Sequence, residues 1–192
     1  MQLSADGFVA GPSGEMDWMV WDWDDELKKY VSELTDPVDL ILLGGVLAKG
    51  FIDAWASRVA QPESTNEESA FARKMNDTPK IVFSKTLSAI QPGLPPGAWK
   101  NTSVAKGELV EEIIRLKKQP GKDIIAYGGA TFVSDLIKHG LIDEYHLFVN
   151  PAAIGRGMPI FKGLESNLNL NLIKASSFTC GIVALHYEPK WS

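Results

Sequence analysis

Apolar positions along this chain follow two rhythms. Runs at 38–43 and 80–83, apolar but for Asp39 and Lys80, and a continuous apolar run at 124–127 read as strands. Each stops at small or hydroxyl residues: Gly44-Gly45, Ser84 and Gly128-Gly129. Between them the period lengthens to that of a helix. Leu27, Tyr30, Val31 and Leu34 share one helical face, with Asp22 or Asp24 as the cap and Pro37 as the stop. Leu47, Phe51, Ala54 and Trp55 predict a second inward face, and Phe71 and Met75 mark a short helix over 67–75. Leu109, Ile113 and Leu116 give a helix over 108–118, acidic at its start and basic at its end as the helix dipole favours. Short strands are expected at 102–105 and 145–149, and residues 1–5 allow only a brief first strand. The polar stretch 60–68 and the Pro- and Gly-rich stretch 91–99 read as loop and connector.

The stretch 123–161 organises the rest. A strand ending in Gly128-Gly129 leads into a helix carrying Phe132, Leu136 and Ile137. His139-Gly140 closes that helix, and the strand at 145–149 follows. This order predicts one βαβ unit with parallel strands and a right-handed crossover. Near the C-terminus Leu168, Leu170 and Leu172 alternate with asparagine, a turn follows at 176–181, and 182–187 reads as a strand. That is an antiparallel hairpin at a sheet edge. The fold class is α/β, a mostly parallel sheet covered by helices, in a single domain over 1–192.

Composition narrows the functions available. The chain has 192 residues, 45% hydrophobic and 22% charged, which suits a globular protein with a sizeable core. Its net charge of -5 argues against a general nucleic-acid surface. Cys180 is the sole cysteine, so an internal disulfide and a cysteine-based zinc site are both excluded. No metal is expected. No apolar run reaches the roughly 20 residues of a membrane helix, and a cytoplasmic location without membrane contact is the expectation.

Three places carry candidate chemistry. At Gly128-Gly129 a helix N-terminus offers N–H groups and partial positive charge, and glycine lets a phosphate approach the backbone. The same residues equally make a plain tight turn. Gly44-Gly45 repeats the arrangement, and Ser84-Lys85-Thr86 ends a strand with two hydroxyls and a cation suited to an anionic group. Ahead of these lies a glycine-rich loop over 6–14, then three of the six tryptophans, Trp18, Trp21 and Trp23. Their flat faces suit either a heterocyclic substrate or an apolar core. His146 and His186 read as strand residues, and His139 as a neighbour of a helix C-cap.

In this order the motifs resemble the dihydrofolate reductase-like superfamily. They are most similar to the reductase domain of the bifunctional riboflavin-biosynthesis deaminase–reductase and its stand-alone relatives. The matching pieces are S-A-D-G-F-V-A-G from Ser4, D-W at Asp17, L-L-G-G from Leu42, P-K-I-V-F-S-K-T-L from Pro79, Y-G-G-A-T-F from Tyr127, and G-L-I-D-E-Y with P-A-A-I-G-R-G-M-P-I-F between Gly140 and Phe161. The resemblance implies a three-layer fold, NADPH as cofactor, a small-molecule substrate and a homodimer. By it, Gly128, Gly129, Ala130, Thr131 and Phe132 would cradle the pyrophosphate; Gly44 and Gly45, at the second junction, are cofactor-binding candidates by their position. Ser84, Lys85 and Thr86 would lie by the adenosine ribose, Lys85 pairing with the 2′-phosphate. Ala5 and the loop through Gly11 and Gly14 would lie by the nicotinamide. Asp17 is the first candidate proton donor and Asp6 the second, with Trp18 and Trp21 against the substrate. Relatives carry Gly-Arg and then a hydroxyl residue after the second strand. This chain has Gly44, Gly45, Val46 and Leu47, so one cation and one hydroxyl are missing. A non-catalytic protein that kept the nucleotide site, or a dimeric interaction module, is the alternative. The zinc deaminase pattern of the bifunctional relatives is absent, because no cysteine pair accompanies His186.

Overall fold

The structure, a computed structural model, describes residues 1–60, 66–87, 99 and 101–190. In chain order its elements begin β1 (Gln2–Leu3), β2 (Phe8–Ala10), α1 (Asp25–Thr35), β3 (Val38–Gly44), α2 (Gly45–Val59), α3 (Asn66–Asp77) and β4 (Lys80–Phe83). They continue β5 (Thr102–Val104), α4 (Leu109–Lys117), β6 (Asp123–Gly128), α5 (Ala130–Lys138), β7 (Tyr145–Val149), β8 (Met158–Pro159), β9 (Leu170–Ser177) and β10 (Val183–Pro189). The chain forms two compact units, one of Met1–Val31 with Val133–Ser192 and one of Ser32–Phe132.

The Ser32–Phe132 unit is built on an all-parallel sheet in the order β5-β4-β3-β6. β3 lies inside it, and from Ile41 to Gly44 it is buried throughout, with Ile41 and Leu43 fully so. Ala48 and Ile52 of α2, Met75 of α3 and Val82 of β4 complete the core, with Leu47, Phe51, Trp55 and Phe71 packed around it. The expected inward Ala54 is instead exposed. It follows Ile52 by two residues, about 200° around the helix, so it cannot share the face that Ala48 and Ile52 present to the sheet. Lys80 is buried, and its ammonium donates to the carbonyls of Asn76 (2.9 Å) and Thr78 (2.7 Å), closing the end of α3. The connector expected over 91–99 lies, apart from Trp99, outside the described residues, as do residues 61–65 of the loop expected over 60–68.

The other unit holds a mixed sheet in the order β1-β7-β10-β9, with β1 parallel to β7 and the remaining pairs antiparallel. The expected hairpin is present as β9–β10, with β9 at the edge. The expected βαβ pairing is not. β6 bonds to β3, β7 bonds to β1 and β10, and the two strands belong to different sheets. The local pattern sets the order strand, helix, strand; it does not select the strand that each one bonds. Part of the glycine-rich stretch 6–14 is also a strand. Phe8-Val9-Ala10, aromatic and β-branched, pairs as β2 with β8. Gly157 permits this ribbon, because a Cβ there would collide with the carbonyl of Ala10 and the side chain of Phe8.

Polar groups fix this unit's loops. Asp24 caps α1, accepting the N–H of Leu27 at 2.8 Å, and its second oxygen accepts from the Thr179 hydroxyl (2.8 Å) and the Cys180 N–H (2.9 Å). Asn150 is buried. Its amide donates to Gln2 and to the carbonyls of Leu3 and Phe148, while its oxygen accepts the N–H of Val20 at 2.9 Å. α5 ends in a Schellman turn: Leu141 N–H bonds Leu136 O at 3.0 Å, Gly140 N–H bonds Ile137 O at 3.1 Å, and Gly140 has φ 62°. No helix among the described residues is long and apolar enough to cross a membrane.

Candidate phosphate-binding site

The carboxyl edge of the parallel sheet gathers the residues that the sequence singles out. In the strand register Gly44 of β3 faces Phe83 of β4, and Leu43 faces Gly128 of β6. The chain then leaves β3 through Gly44-Gly45, β4 through Ser84-Lys85-Thr86, and β6 through Gly128-Gly129. These three exits are neighbours because their strands are. The two glycine junctions touch: a Cβ on Gly44 would lie 2.9 Å from the Phe132 Cβ and 3.4 Å from the Gly129 nitrogen. Gly128 has φ 138°, a backbone conformation that side chains resist. Stacking of the Phe83 and Phe132 rings, centroids 5.1 Å apart and 21° from parallel, floors the edge.

Both glycine junctions open helices. α2 starts at Gly45 behind the N-cap Gly44, which has no side chain to close the first turn, and α5 starts at Ala130 beside it. The unsatisfied N–H groups and dipoles of such ends attract an anion. Ser84 is tied into its own turn. Its hydroxyl oxygen accepts the N–H groups of Leu87 at 3.1 Å and Thr86 at 3.3 Å, and lies 3.3 Å from the Thr86 hydroxyl. Lys85 and Thr86 are exposed. Lys85 meets no carboxylate among the described residues, which leaves its charge available. Thr131 is exposed in the first turn of α5. The missing arginine has a packing explanation: a Cβ on Gly45 would come within 2.6 Å of both Cβ and Oγ of Ser84. Val46 stands fully exposed in the first turn of α2, an apolar residue to which the sequence reading gave no role.

The remaining sequence-predicted residues belong to the other unit. Ala5 is exposed and its N–H bonds Ala152 O at 2.7 Å. The Asp6 carboxylate accepts from the Ser4 hydroxyl (2.6 Å) and from the N–H groups of Gly155 (2.7 Å) and Ile154 (3.2 Å). These bonds, the Ser4 hydroxyl foremost, hold Asp6 below the usual carboxylate range and favour its charged form. Gly11 and Gly14 shape the turn around Glu15, whose carboxylate accepts the Ser13 N–H at 2.9 Å. Asp17 is exposed. Trp18 is half-buried and its indole N–H donates to Glu15 O at 3.2 Å, while Trp21 is 60% exposed.

This architecture defines an α/β protein of the dihydrofolate reductase-like kind, with glycine-bounded helix starts at a parallel-strand edge. The chain belongs to the RibD C-terminal domain family, whose model matches residues 1–184. It is 30% identical over 188 residues to the uncharacterized protein YyaP of Bacillus subtilis (strain 168), covering 98% of this chain and 92% of that one. Among solved structures it is similar to a Shewanella sp. PV-4 protein provisionally assigned to riboflavin biosynthesis: TM-score 0.71, 23% identity, covering all of this chain and 97% of the other. It is also similar to the Thermotoga maritima diaminohydroxyphosphoribosylaminopyrimidine deaminase/5-amino-6-(5-phosphoribosylamino)uracil reductase. There the TM-score is 0.65 and the identity 18%, with 98% of this chain matched to 55% of that one. The two structural likenesses establish the fold.

Proposed function

We propose that this chain is an NADPH-dependent reductase of a small heterocyclic compound, pyrimidine- or pteridine-like, or of a small carbonyl compound. One observation carries the proposal. Gly44-Gly45 and Gly128-Gly129 open two helices side by side at the same strand edge, the first glycine of each pair buried and the second half-buried at the helix start. Gly128, Gly129, Ala130, Thr131 and Phe132 would hold the pyrophosphate, with Gly44 and Gly45 beside them. Ser84, Lys85 and Thr86 would meet the adenosine ribose, Lys85 answering the 2′-phosphate. Membership of the RibD C-terminal domain family supports reductase chemistry, and the name of the Thermotoga relative supports a pyrimidine-like substrate. When bound, the cofactor supplies the hydride; the chain's own residues bind and orient it and deliver a proton. Asp6 is held as an acceptor of hydrogen bonds, which leaves Asp17 as the assigned donor. Trp18 and Trp21 are the assigned stacking surfaces for the substrate.

A thermal-shift titration tests the cofactor site, since a ligand bound to the native state alone raises Tm by mass action. NADPH is expected to raise Tm more than NADH does, and Lys85→Ala to remove most of that difference. Equal shifts with the two cofactors would refute the role of Lys85, and no shift at saturating NADPH would refute the reductase reading. The packing of Ser84 against Gly45, in place of an arginine, favours a second reading in which the nucleotide is bound without turnover. Consumption of NADPH with pyrimidine- or pteridine-type substrates separates the two. The proposed assembly is a homodimer. β9 at the sheet edge, with Leu172 and Ile173 about half exposed, is the apolar surface it would cover, and light scattering on the eluted protein reads the mass.

A further inference from the structure

Away from the glycine junctions, three side chains meet on one face of the mixed sheet. β7 and β10 are antiparallel, and their register sets His146 directly opposite His186. The two imidazoles stack with centroids 4.2 Å apart and planes 21° from parallel. Glu144 immediately precedes β7, two residues before His146, and its carboxylate reaches the same face. Its Oε2 lies 3.1 Å from His146 Nε2 and 3.0 Å from His186 Nε2. Only the His146 contact has hydrogen-bond geometry. His186 Nε2 is near the oxygen but off its axis, and it is buried without a hydrogen-bond partner. One carboxylate oxygen therefore faces two imidazole nitrogens, and one of those nitrogens is unused.

We propose that Glu144, His146 and His186 bind a divalent transition-metal ion, zinc foremost, bridging β7 and β10. The donor atoms already lie within 4.8 Å of one another. Zinc takes nitrogen at about 2.0–2.1 Å and carboxylate oxygen at about 2.0–2.2 Å in a tetrahedron, which separates its ligands by roughly 3.3–3.5 Å. The nitrogen–oxygen gaps of 3.0 and 3.1 Å need to open by only a few tenths of an ångström. Two imidazoles and one carboxylate suit zinc, nickel, copper or iron(II) and not calcium or magnesium, which prefer oxygen alone. The His146 and His186 side chains are mostly covered while that of Glu144 is 54% exposed, so the ion enters from the carboxylate side and keeps water as its fourth ligand. Lys174, the register partner of His186 on β9, has its ammonium over the Tyr30 ring, 5.5 Å from the centroid. The site is independent of the nucleotide reading. It revises the expectation that no metal binds, which rested on the missing cysteines.

The chain has three histidines, and His139 is exposed outside the cluster, so it serves as the internal control. Untagged full-length protein, stripped with a chelator, is titrated with Co(II) by visible absorption and with Zn(II) by calorimetry and thermal shift. The expected result is one ion per chain, a tetrahedral d–d band and a raised Tm. Glu144→Gln, at an exposed position, should weaken binding at least tenfold. His186→Gln should abolish the band, and His139→Gln should change nothing. Metal-free circular dichroism verifies that each variant is folded. Absence of binding by wild type at excess metal would overturn the proposal. So would binding that survives both Glu144→Gln and His186→Gln, or that His139→Gln removes.

Discussion

Asn150 and Asp24 show how much a single polar side chain can organise. Asn150 serves Val20, Gln2, Leu3 and Phe148 from a buried position. Asn150→Ala would leave the Val20 N–H without its acceptor, while the Leu3 carbonyl keeps the Asn150 main-chain N–H, so denaturant melts should show a loss of about 1–3 kcal/mol. Asp24 is held at about 2, chiefly by the N–H of Leu27 and then by that of Cys180, against an ordinary 3.8. A depressed folded value means that its stabilisation is complete above 3.8 and is lost as pH falls through about 2. The Tm difference between wild type and Asp24→Asn should be constant above about pH 5 and shrink as pH falls through about 2. Asp24 was legible in sequence as one of two alternative caps. Its bonds to Thr179 and Cys180, like the pairing of His146 with His186, were not, because hydrogen-bond partners far apart in sequence leave no local signal.

At the scale of elements, periodicity worked where burial is one-sided. The stops at Pro37 and His139-Gly140, the helices from Leu27 and Leu109, and the β9–β10 hairpin all follow from local rules. It failed where partners had to be chosen. The apolar runs of β6 and β7 look like parallel neighbours in sequence, yet the hydrogen bonds go to β3 in one case and to β1 and β10 in the other. The face of α2 was misjudged at Ala54 for a related reason: several apolar residues surround that helix, and the sheet contacts Ala48 and Ile52 most closely. Ile52→Ala should therefore cost about 2–5 kcal/mol by chemical denaturation. Ala54→Ser, on the solvent side, should shift stability by less than about 0.5 kcal/mol.

For the whole molecule, the family and the fold class were readable from the order of the motifs, and the family model matches residues 1–184. The assembly of the candidate phosphate-binding edge from three separate exits was readable only as a set of similar local motifs. It takes the sheet order β4-β3-β6 to make them neighbours. The cofactor binding proposed there would rest on main chain more than on side chains. Gly128→Ala should therefore cost both stability, through its φ of 138°, and NADPH affinity, while Thr131→Val should cost affinity alone. Parallel calorimetry and denaturant melts on the two variants check this separation.

The contact between Ser84 and Gly45 also bears on the history open to this chain. An arginine at position 45 requires Ser84 to shift, because Ser84 occupies the space that its Cβ needs. Gly45→Arg alone should unfold the strand edge or bind NADPH worse than wild type. Joined with Ser84→Gly it should recover, so the two substitutions couple by more than their separate effects predict. Positions 45 and 84 therefore form one unit of change, and a cation at the first waits on a smaller residue at the second.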